Sequence, residues 1–428
     1  MRPTVLVLLW NRYWCCVLDL VSRANPMMYI FHFPTEVLCD ITSWLDADSI
    51  ARLWIASPNS IGERLTTEGS VRNWTSRSEN ASFFRFPRLL PLFRSLDTVR
   101  LLGPIDCVKK CVLQSQIRTL PPTLTRLELS YAPCSDTFFV AFSNAPSLFD
   151  NLKTLTLGAL RAYSKDIIFE DNLRYPPNLE TLILRNSLRF SLLNPHSLPA
   201  RLHTFAGYFL RMTYSAPGGV GCFPASLTSL DLELEISSPK LASSLPSGLT
   251  HLSLECEVEN GVTLQDWRQL PKGLKSLESN SVPTMTEDLS FFPFLPQSLE
   301  SLVLWTDAPM DESLDLLPAT LTSLEGVIND ELTSTLASRL PRKLTYLGKH
   351  VPIPIDSIPF LPPRLTELSI TDPSTQLVSH QEIETAIHAL TSFPLRKLAI
   401  DCVSNALIHT IGSFPGPKNW NCNASEGQ

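Results

Sequence analysis

The sequence is poor in glycine and in charge, and it lacks the short motifs that mark catalytic and metal sites. Only 16 of its 428 residues are glycine, and 18% are charged. Its ten cysteines include no C-x-x-C pair, and its eight histidines include no H-x-x-x-H spacing. Walker loops, nucleophile elbows and dinucleotide fingerprints are missing too. The sequence therefore predicts a protein that is not an enzyme and holds no metal or cofactor.

Basic runs and long apolar runs are absent as well. The formal net charge is -7, and no lysine- or arginine-rich stretch is present to follow a phosphate backbone, so no nucleic-acid partner is expected. No apolar stretch approaches the roughly 20 residues that a membrane-spanning helix needs. The sequence predicts no membrane span.

Signals for the cellular compartment point in two directions. Cysteines without a framework spacing favour a reducing compartment, cytoplasmic or nuclear. The apolar run at 4–10 after Arg2, together with N-x-S/T sequons at Asn73, Asn80 and Asn423, leaves a secretory signal as the alternative.

Proline and leucine, by contrast, recur in a fixed pattern. The unit L-P-x-x-L-x-x-L-x-L appears as LPPTLTRLEL (120–129), YPPNLETLIL (175–184), FPASLTSLDL (223–232), LPSGLTHLSL (245–254), LPQSLESLVL (295–304) and LPPRLTELSI (361–370), with looser copies between. From Pro176 to Pro362 the opening prolines lie 21 to 25 residues apart. The x-L-x-L part alternates as a half-buried strand does, and the proline belongs before that strand because it cannot donate a ladder hydrogen bond.

This pattern resembles the LPxxLxxL class of leucine-rich repeats, including those of some bacterial effectors and the FNIP-type repeats of amoebal proteins. The resemblance implies an α/β fold, a curved solenoid of short parallel strands, over 73–412. The return segments are short and predicted to be extended or turn-like, with helices at 135–142 and 381–390. Asparagine is mostly missing after the last strand leucine, so an asparagine ladder is not expected. The tail at 413–428, rich in Gly, Asn, Pro and Ser, is predicted to be disordered.

A short helical module precedes the repeats at 32–72, after an extension of uncertain status at 1–31. Its first apolar stripe is formed by Val37, Leu38, Ile41 and Leu45. After an acidic break at 46–49, a second stripe is formed by Ile50, Leu53 and Trp54. This spacing predicts a compact all-α hairpin.

The module resembles the F-box. The matching residues are Phe33, Pro34, Glu36, Val37, Leu38, Ile41, Leu45, Asp46, Ser49, Ile50 and Leu53. The resemblance implies that an apolar helical surface binds a Skp-type adaptor, and through it a cullin scaffold. The adaptor-binding residues implied are Phe33, Pro34, Val37, Leu38, Ile41, Leu45, Ile50, Leu53 and Trp54. The alternative is a plain helical cap that shields the first repeat.

Side chains that flank the strand leucines are expected on the concave face of such a solenoid, where a protein substrate would bind. The candidates are Arg126, Arg185, Tyr208, Asp231, Glu233, His251, Glu255, Glu278, Trp305, Tyr346 and His350. The acidic stretch at 231–278, beside two aromatic residues, suits a basic segment. The alternative is a solvated polar face whose hydroxyl groups satisfy cross-strand hydrogen bonds.

The sequence thus predicts the substrate-recognition subunit of a Skp/cullin/F-box-type ubiquitin ligase with an unknown protein substrate. The alternative function is a leucine-rich-repeat scaffold without a ligase link, or a secreted recognition protein.

Overall fold

A computed structural model of the chain describes residues 73–76, 96–101, 120–129, 149–158, 175–185, 190–212, 223–234, 241–256, 267–279, 291–306, 312–328, 332–348, 353–371, 385, 388–401 and 420–423. The chain divides into two compact units. The first comprises residues 1–164 and 172–187, and the second comprises residues 165–171 and 188–428.

The first unit contains five short parallel strands in chain order. They are β1 (Asn73–Ser76), β2 (Thr98–Leu101), β3 (Arg126–Leu129), β4 (Thr154–Gly158) and β5 (Thr181–Arg185). The register aligns Leu127 with Leu155, and Leu155 with Leu182. These three leucines are buried, so each repeat adds one leucine to a continuous core.

The second unit repeats this arrangement in eleven strands. They are β6 (Phe190–Leu193), β7 (Thr204–Met212), β8 (Ser229–Leu234), β9 (His251–Cys256), β10 (Ser276–Ser279), β11 (Ser301–Thr306), β12 (Ser323–Ile328), β13 (Tyr346–Leu347), β14 (Glu367–Thr371), β15 (Lys397–Asp401) and β16 (Trp420–Asn423). Each pairs in parallel with the next along the chain. The predicted leucine-rich-repeat solenoid is confirmed.

The return segments between strands are short. Among the described return segments, α-helices include α1 (Leu241–Ser244) and α2 (Ser334–Arg339), and 3-10 turns lie at Pro195–Ser197, Phe292–Phe294, Glu312–Leu316 and Ile355–Phe360. Of the helix predicted at 381–390, the described residues 385 and 388–390 are helical. The helix predicted at 135–142 lies outside the described residues.

The L-P-x-x-L motif forms a turn at the start of each repeat. The carbonyl of the proline accepts a hydrogen bond from the N–H of the leucine three residues later, as in Leu274 to Pro271 (3.1 Å) and Leu299 to Pro296 (3.0 Å). The strand begins two residues after that leucine, so the proline lies before the strand, as predicted. The turn and the buried leucine together direct the chain into the sheet.

Leucines from successive strands stack in the core of the second unit. Leu252, Leu277, Leu302 and Leu324 are aligned by the strand register and are at most 3% exposed. Aromatic side chains from the return segments fill the space behind them, with ring centroids of Trp267 and Phe291 4.5 Å apart. The core is therefore shared between repeats, since one repeat is too small to bury its own leucines.

Threonine hydroxyls bind successive repeats together where an asparagine ladder is missing. Directly before each of several strands, a threonine Oγ1 donates to a backbone carbonyl of the preceding repeat: Thr250 to Thr228 (3.0 Å), Thr345 to Thr322 (3.0 Å) and Thr366 to Thr345 (3.1 Å). A second row lies in the turn, where Ser298 Oγ donates to the carbonyls of Lys272 and Leu274, both at 2.7 Å. The threonine carbonyls also accept backbone N–H groups of the next repeat, such as Thr345 N–H to Thr322 (2.8 Å), so the hydroxyls add to the backbone bonds between repeats.

Replacing Thr345 with valine should test this hydroxyl ladder. The substitution keeps the shape of the side chain but removes the hydrogen bond to Thr322, so we expect the free energy of unfolding to fall by about 1 kcal/mol. The matched control is Thr204→Val, because the Thr204 hydroxyl has no hydrogen-bond partner among the described residues. Urea unfolding followed by circular dichroism should show a lower midpoint for the first variant only; equal midpoints would contradict the ladder.

The structure corrects one sequence-based prediction at the C-terminus. Residues 413–428 were expected to be disordered, but Trp420–Asn423 form β16, which pairs with β15 through registers such as Ile400 to Cys422. The physical reason is that β15 would otherwise leave its backbone N–H and C=O groups unpaired at the end of the sheet. The polar composition of the tail does not prevent a strand whose stability comes from backbone pairing.

The first described strand of the solenoid lies before the first leucines of the repeat, at the start of the predicted range 73–412. β1 precedes them and pairs with β2 from Asn73 to Thr98 through Ser76 to Leu101. The helical module predicted at 32–72 and the extension at 1–31 lie outside the described residues.

Candidate protein-binding surface

Strand side chains that alternate with the buried leucines form one exposed surface in each unit, here called the polar sheet face. The strand register sorts its residues into columns that run across the strands. In β8 to β12, column one is Ser229, His251, Ser276, Ser301 and Ser323, and column two is Asp231, Ser253, Glu278, Val303 and Glu325. Column three holds Glu233 and Glu255, which face each other directly.

The hydroxyls of column one have no partner within the described part of the chain. Ser229, Ser276, Ser301 and Ser323 are half-buried, yet none forms a hydrogen bond to another described residue. These hydroxyls therefore make no cross-strand hydrogen bond among the described residues and are available to water or to a partner. By contrast, the hydroxyls of Thr228 and Thr322, one position before Ser229 and Ser323, donate to backbone carbonyls of the preceding repeat. Column one presents donors and acceptors outward.

Column two alternates acidic and uncharged residues from strand to strand. Asp231, Glu278 and Glu325 lie on β8, β10 and β12, with Ser253 and Val303 on the strands between them. Asp231 and Glu278 are exposed and Glu325 is half-buried. Glu325 was not among the predicted site residues, although its place in the LTSLEG copy of the repeat identifies the column.

The acidic residues of this face influence each other. Partial burial raises the pKa of Glu278, and the negative charges of Asp231, Glu325 and Glu255 raise it further, while a hydrogen bond from Ser253 acts in the opposite direction. Ionised Glu278 is therefore disfavoured in the folded protein relative to the unfolded chain. The negative charges around Glu278 thus disfavour its ionised form.

Removing the charge of Glu278 should stabilise the fold in a pH-dependent way. Because its pKa is raised on folding, the unfavourable contribution is complete at neutral pH and disappears below the unfolded carboxyl value, near pH 4. We expect Glu278→Gln to raise the free energy of unfolding at pH 7 by roughly a few tenths of a kcal/mol, the size of an exposed charge interaction. The control Glu300→Gln removes the partner of Lys275 (3.1 Å) and should give no gain; a gain for Glu278→Gln that persists at pH 3.5 would argue against the repulsion.

Tyr346, on β13, lies next to the last acid of column two. Its hydroxyl donates to Glu325 Oε2 at 3.0 Å, and burial, followed by this bond and the charge of Glu325, raises the pKa of Tyr346 to about 12. Gly348 makes room for the ring, since a Cβ there would lie 2.7 Å from ring atoms of Tyr346. Tyr346 was predicted to stand beside the acidic stretch, and in the structure it contacts Glu325, an acid that the prediction did not include.

The polar sheet face of the first unit has a different charge pattern. Glu128 lies between two arginines, with Arg100 Nε 3.5 Å and Arg126 Nη2 3.7 Å from its Oε2. Glu128 is only 9% exposed, and Thr156, aligned with it on β4, is buried too. The predicted binding residue Arg126 is thus engaged in a local ion pair.

The remaining predicted substrate-binding residues are placed as follows. His251 is exposed, and its Nδ1 lies 2.8 Å from the Thr250 hydroxyl. Arg185, Tyr208 and Trp305 lie in β5, β7 and β11, but their side chains, like His350, are outside the described part of the structure. The adaptor-binding residues predicted between Phe33 and Trp54 lie outside it as well.

Within the described ranges, no group of histidine, cysteine or acidic side chains is arranged to hold a metal ion. None of the helices in those ranges has the length and apolar character needed to cross a membrane.

No family model matches the sequence, and no curated protein matches it. An internalin (inlF) from Listeria monocytogenes is 15% identical, with a TM-score of 0.48, over 80% of this chain and 89% of its own. The leucine-rich repeat-containing protein LegL7 from Legionella pneumophila is 13% identical, with a TM-score of 0.29, over 82% and 90%. Neither likeness bears on function, and the fold follows from the strand register itself.

Proposed function

We propose that this chain is a non-catalytic binding protein whose polar sheet face holds another protein. The observation that carries this proposal is column one, in which half-buried serine hydroxyls on adjacent strands have no hydrogen-bond partner within the described structure. Elsewhere in the same repeats, serine and threonine hydroxyls are bonded to the backbone. A flat, ordered array of free donors and acceptors suits a protein surface better than a small ligand, which binds in concave pockets.

More specifically, we propose that the chain is the substrate-recognition subunit of a Skp/cullin/F-box-type ubiquitin ligase. Support comes from the sequence between Phe33 and Leu53, where an opening proline, two apolar stripes and the acidic break at 46–49 follow the F-box pattern. A repeat solenoid directly after such a module would hold the substrate. Catalysis would come from the assembled ligase, by bringing substrate and ubiquitin-conjugating enzyme together.

Co-precipitation with a Skp-type adaptor tests this role. The full-length chain should retain the adaptor, and the double variant Pro34→Ala, Leu38→Ala should lose most of it, because both residues belong to the proposed apolar contact. The matched control is Leu316→Ala, a leucine that is 45% exposed in the second unit, which should retain the adaptor. Absence of the adaptor from the wild-type precipitate would rule out the ligase role while leaving the polar sheet face as a binding surface.

A leucine-rich-repeat protein without a ligase link, including a secreted one, is the second candidate. The observation in its favour is the apolar run at 4–10 together with the sequons at Asn73, Asn80 and Asn423. If the chain is secreted, glycosidase treatment should increase its mobility on a gel; unchanged mobility would remove this support.

A further inference from the structure

We propose that the polar sheet face of the second unit binds an extended partner segment that crosses the strands and carries lysine or arginine at every third residue. This inference rests on the proposed protein-binding function and adds to it the chemistry and spacing of the partner. The partner is a basic segment of another protein, because column two carries acidic residues on alternate strands.

The spacing follows from the positions of the acids in the sheet. Asp231, Glu278 and Glu325 lie on every second strand from β8 to β12. Neighbouring strands are about 4.8 Å apart, so successive acids along the column are separated by about 9.6 Å. A segment in the extended polyproline II conformation has three residues per turn and advances about 3.1 Å per residue, so side chains three residues apart lie on the same side and about 9.3 Å apart. A segment with basic residues three apart therefore meets one carboxylate with each.

Column one supplies hydrogen bonds for the backbone of such a segment. Ser276, Ser301 and Ser323 lie on three consecutive strands beside the acidic column. A serine hydroxyl both donates and accepts, so each can bind a backbone N–H or C=O of a chain that runs alongside. These hydroxyls form no hydrogen bond to another described residue, and a bound segment would supply their partners.

The charges of Asp231, Glu278 and Glu325 are not paired with a basic side chain on the described part of this face. Among the described side chains on the polar sheet face of β8 to β12, there is no lysine or arginine. The repulsion of Glu278 by Asp231 and Glu325 shows that these charges act on one another across the intervening strands. Cationic side chains placed between them would relieve that repulsion, which favours a basic partner over a neutral one.

The acidic column has defined ends. Before β8, column two holds Ala206 on β7, and after β12 it reaches Gly348, where the Tyr346 ring lies. In column one, which continues to Tyr346 and Glu367, the carboxylate of Glu367 is already paired with Lys397 at 3.7 Å. The length of the column thus suits a segment with three basic residues.

Peptide binding to the purified full-length chain tests the spacing. The probes are the peptides Arg-Ser-Thr-Arg-Ser-Thr-Arg and Arg-Arg-Arg-Ser-Thr-Ser-Thr, which have the same composition and charge. Each exposed ion pair contributes roughly a two- to fivefold change in affinity, so we expect fluorescence anisotropy to give the spaced peptide a Kd at least about fivefold lower. Equal affinities would overturn the proposal, because charge alone would then account for binding.

Charge-neutral variants complete the test. The triple variant Asp231→Asn, Glu278→Gln, Glu325→Gln should remove the preference for the spaced peptide. The control Glu300→Gln, Asp315→Asn, Asp356→Asn removes the same charge from turns and return segments and should keep it. Thermal unfolding checks that both variants are folded. Loss of the preference in the control would overturn the proposal. Adaptor binding is measured separately, so its result tests the ligase role and not the binding of the basic segment.

Discussion

Leu302→Ala should lower the free energy of unfolding of the second unit by about 2–5 kcal/mol. Leu302 is 0% exposed, and in the strand register it stacks between Leu277 on β10 and Leu324 on β12. Truncation leaves a cavity that neighbouring strands cannot close, because the hydrogen-bonded sheet fixes their spacing. Since each repeat contacts only its neighbours, the loss is expected to weaken two interfaces at once.

The matched control for this variant is Leu316→Ala, which removes the same atoms from a leucine that is 45% exposed. We expect a change of no more than about 0.5 kcal/mol. Urea unfolding followed by circular dichroism compares the midpoints of both variants with the wild type. Similar midpoints for the two variants would contradict the placement of Leu302 in the shared core.

Gly326→Ala should destabilise the protein by about 3 kcal/mol, at the upper end of overpacking effects. Gly326 is aligned with Leu304 across β11 and β12, and a Cβ at this position would overlap the carbonyl oxygen of Leu304. The obstacle is backbone that belongs to the ladder, so it cannot move aside as a flexible side chain would. The two strands must separate locally, at the cost of their hydrogen bonds.

Gly248→Ala is the control for this substitution. A Cβ at Gly248 would lie 3.7 Å from the carbonyl oxygen of Ala225, an ordinary contact. Alanine restricts the unfolded chain, so we expect a neutral effect or a gain of about 0.5 kcal/mol. Differential scanning calorimetry on both variants should show a lower melting temperature for Gly326→Ala alone; a tolerated alanine at 326 would mean that the strands there are farther apart.

Much of the fold was predictable because it depends on leucine and proline. Leu302 and its counterparts recur with a spacing that only stacked strands explain, and each opening proline marks the turn before a strand. The threonine ladder was not predicted. Its residues, such as Thr345, are ordinary surface residues in the sequence, and only the register reveals that the hydroxyl of one repeat meets a carbonyl of the one before.

The positions of the candidate site could be predicted from the sequence, but the contacts between its side chains could not. Alternation with leucine identified Asp231, Glu278 and Tyr346 as outward-facing. It did not show that Tyr346 binds Glu325, because that contact depends on the space left by Gly348, directly after β13. Nor did it predict β16, whose residues pair through the backbone and leave little trace in composition.

The claim that the polar sheet face holds a partner protein is tested most directly by site-specific photo-crosslinking in cells with the proteasome blocked. p-Benzoylphenylalanine is placed at Ser276 or Ser301 on the face, and at Phe360, 48% exposed on a return segment, as the control. We predict that one discrete protein is cross-linked from both serine positions and not from Phe360, and that the adduct disappears in the Asp231→Asn, Glu278→Gln, Glu325→Gln background. Adducts of the same pattern from all three positions, or none from the face, would contradict the account.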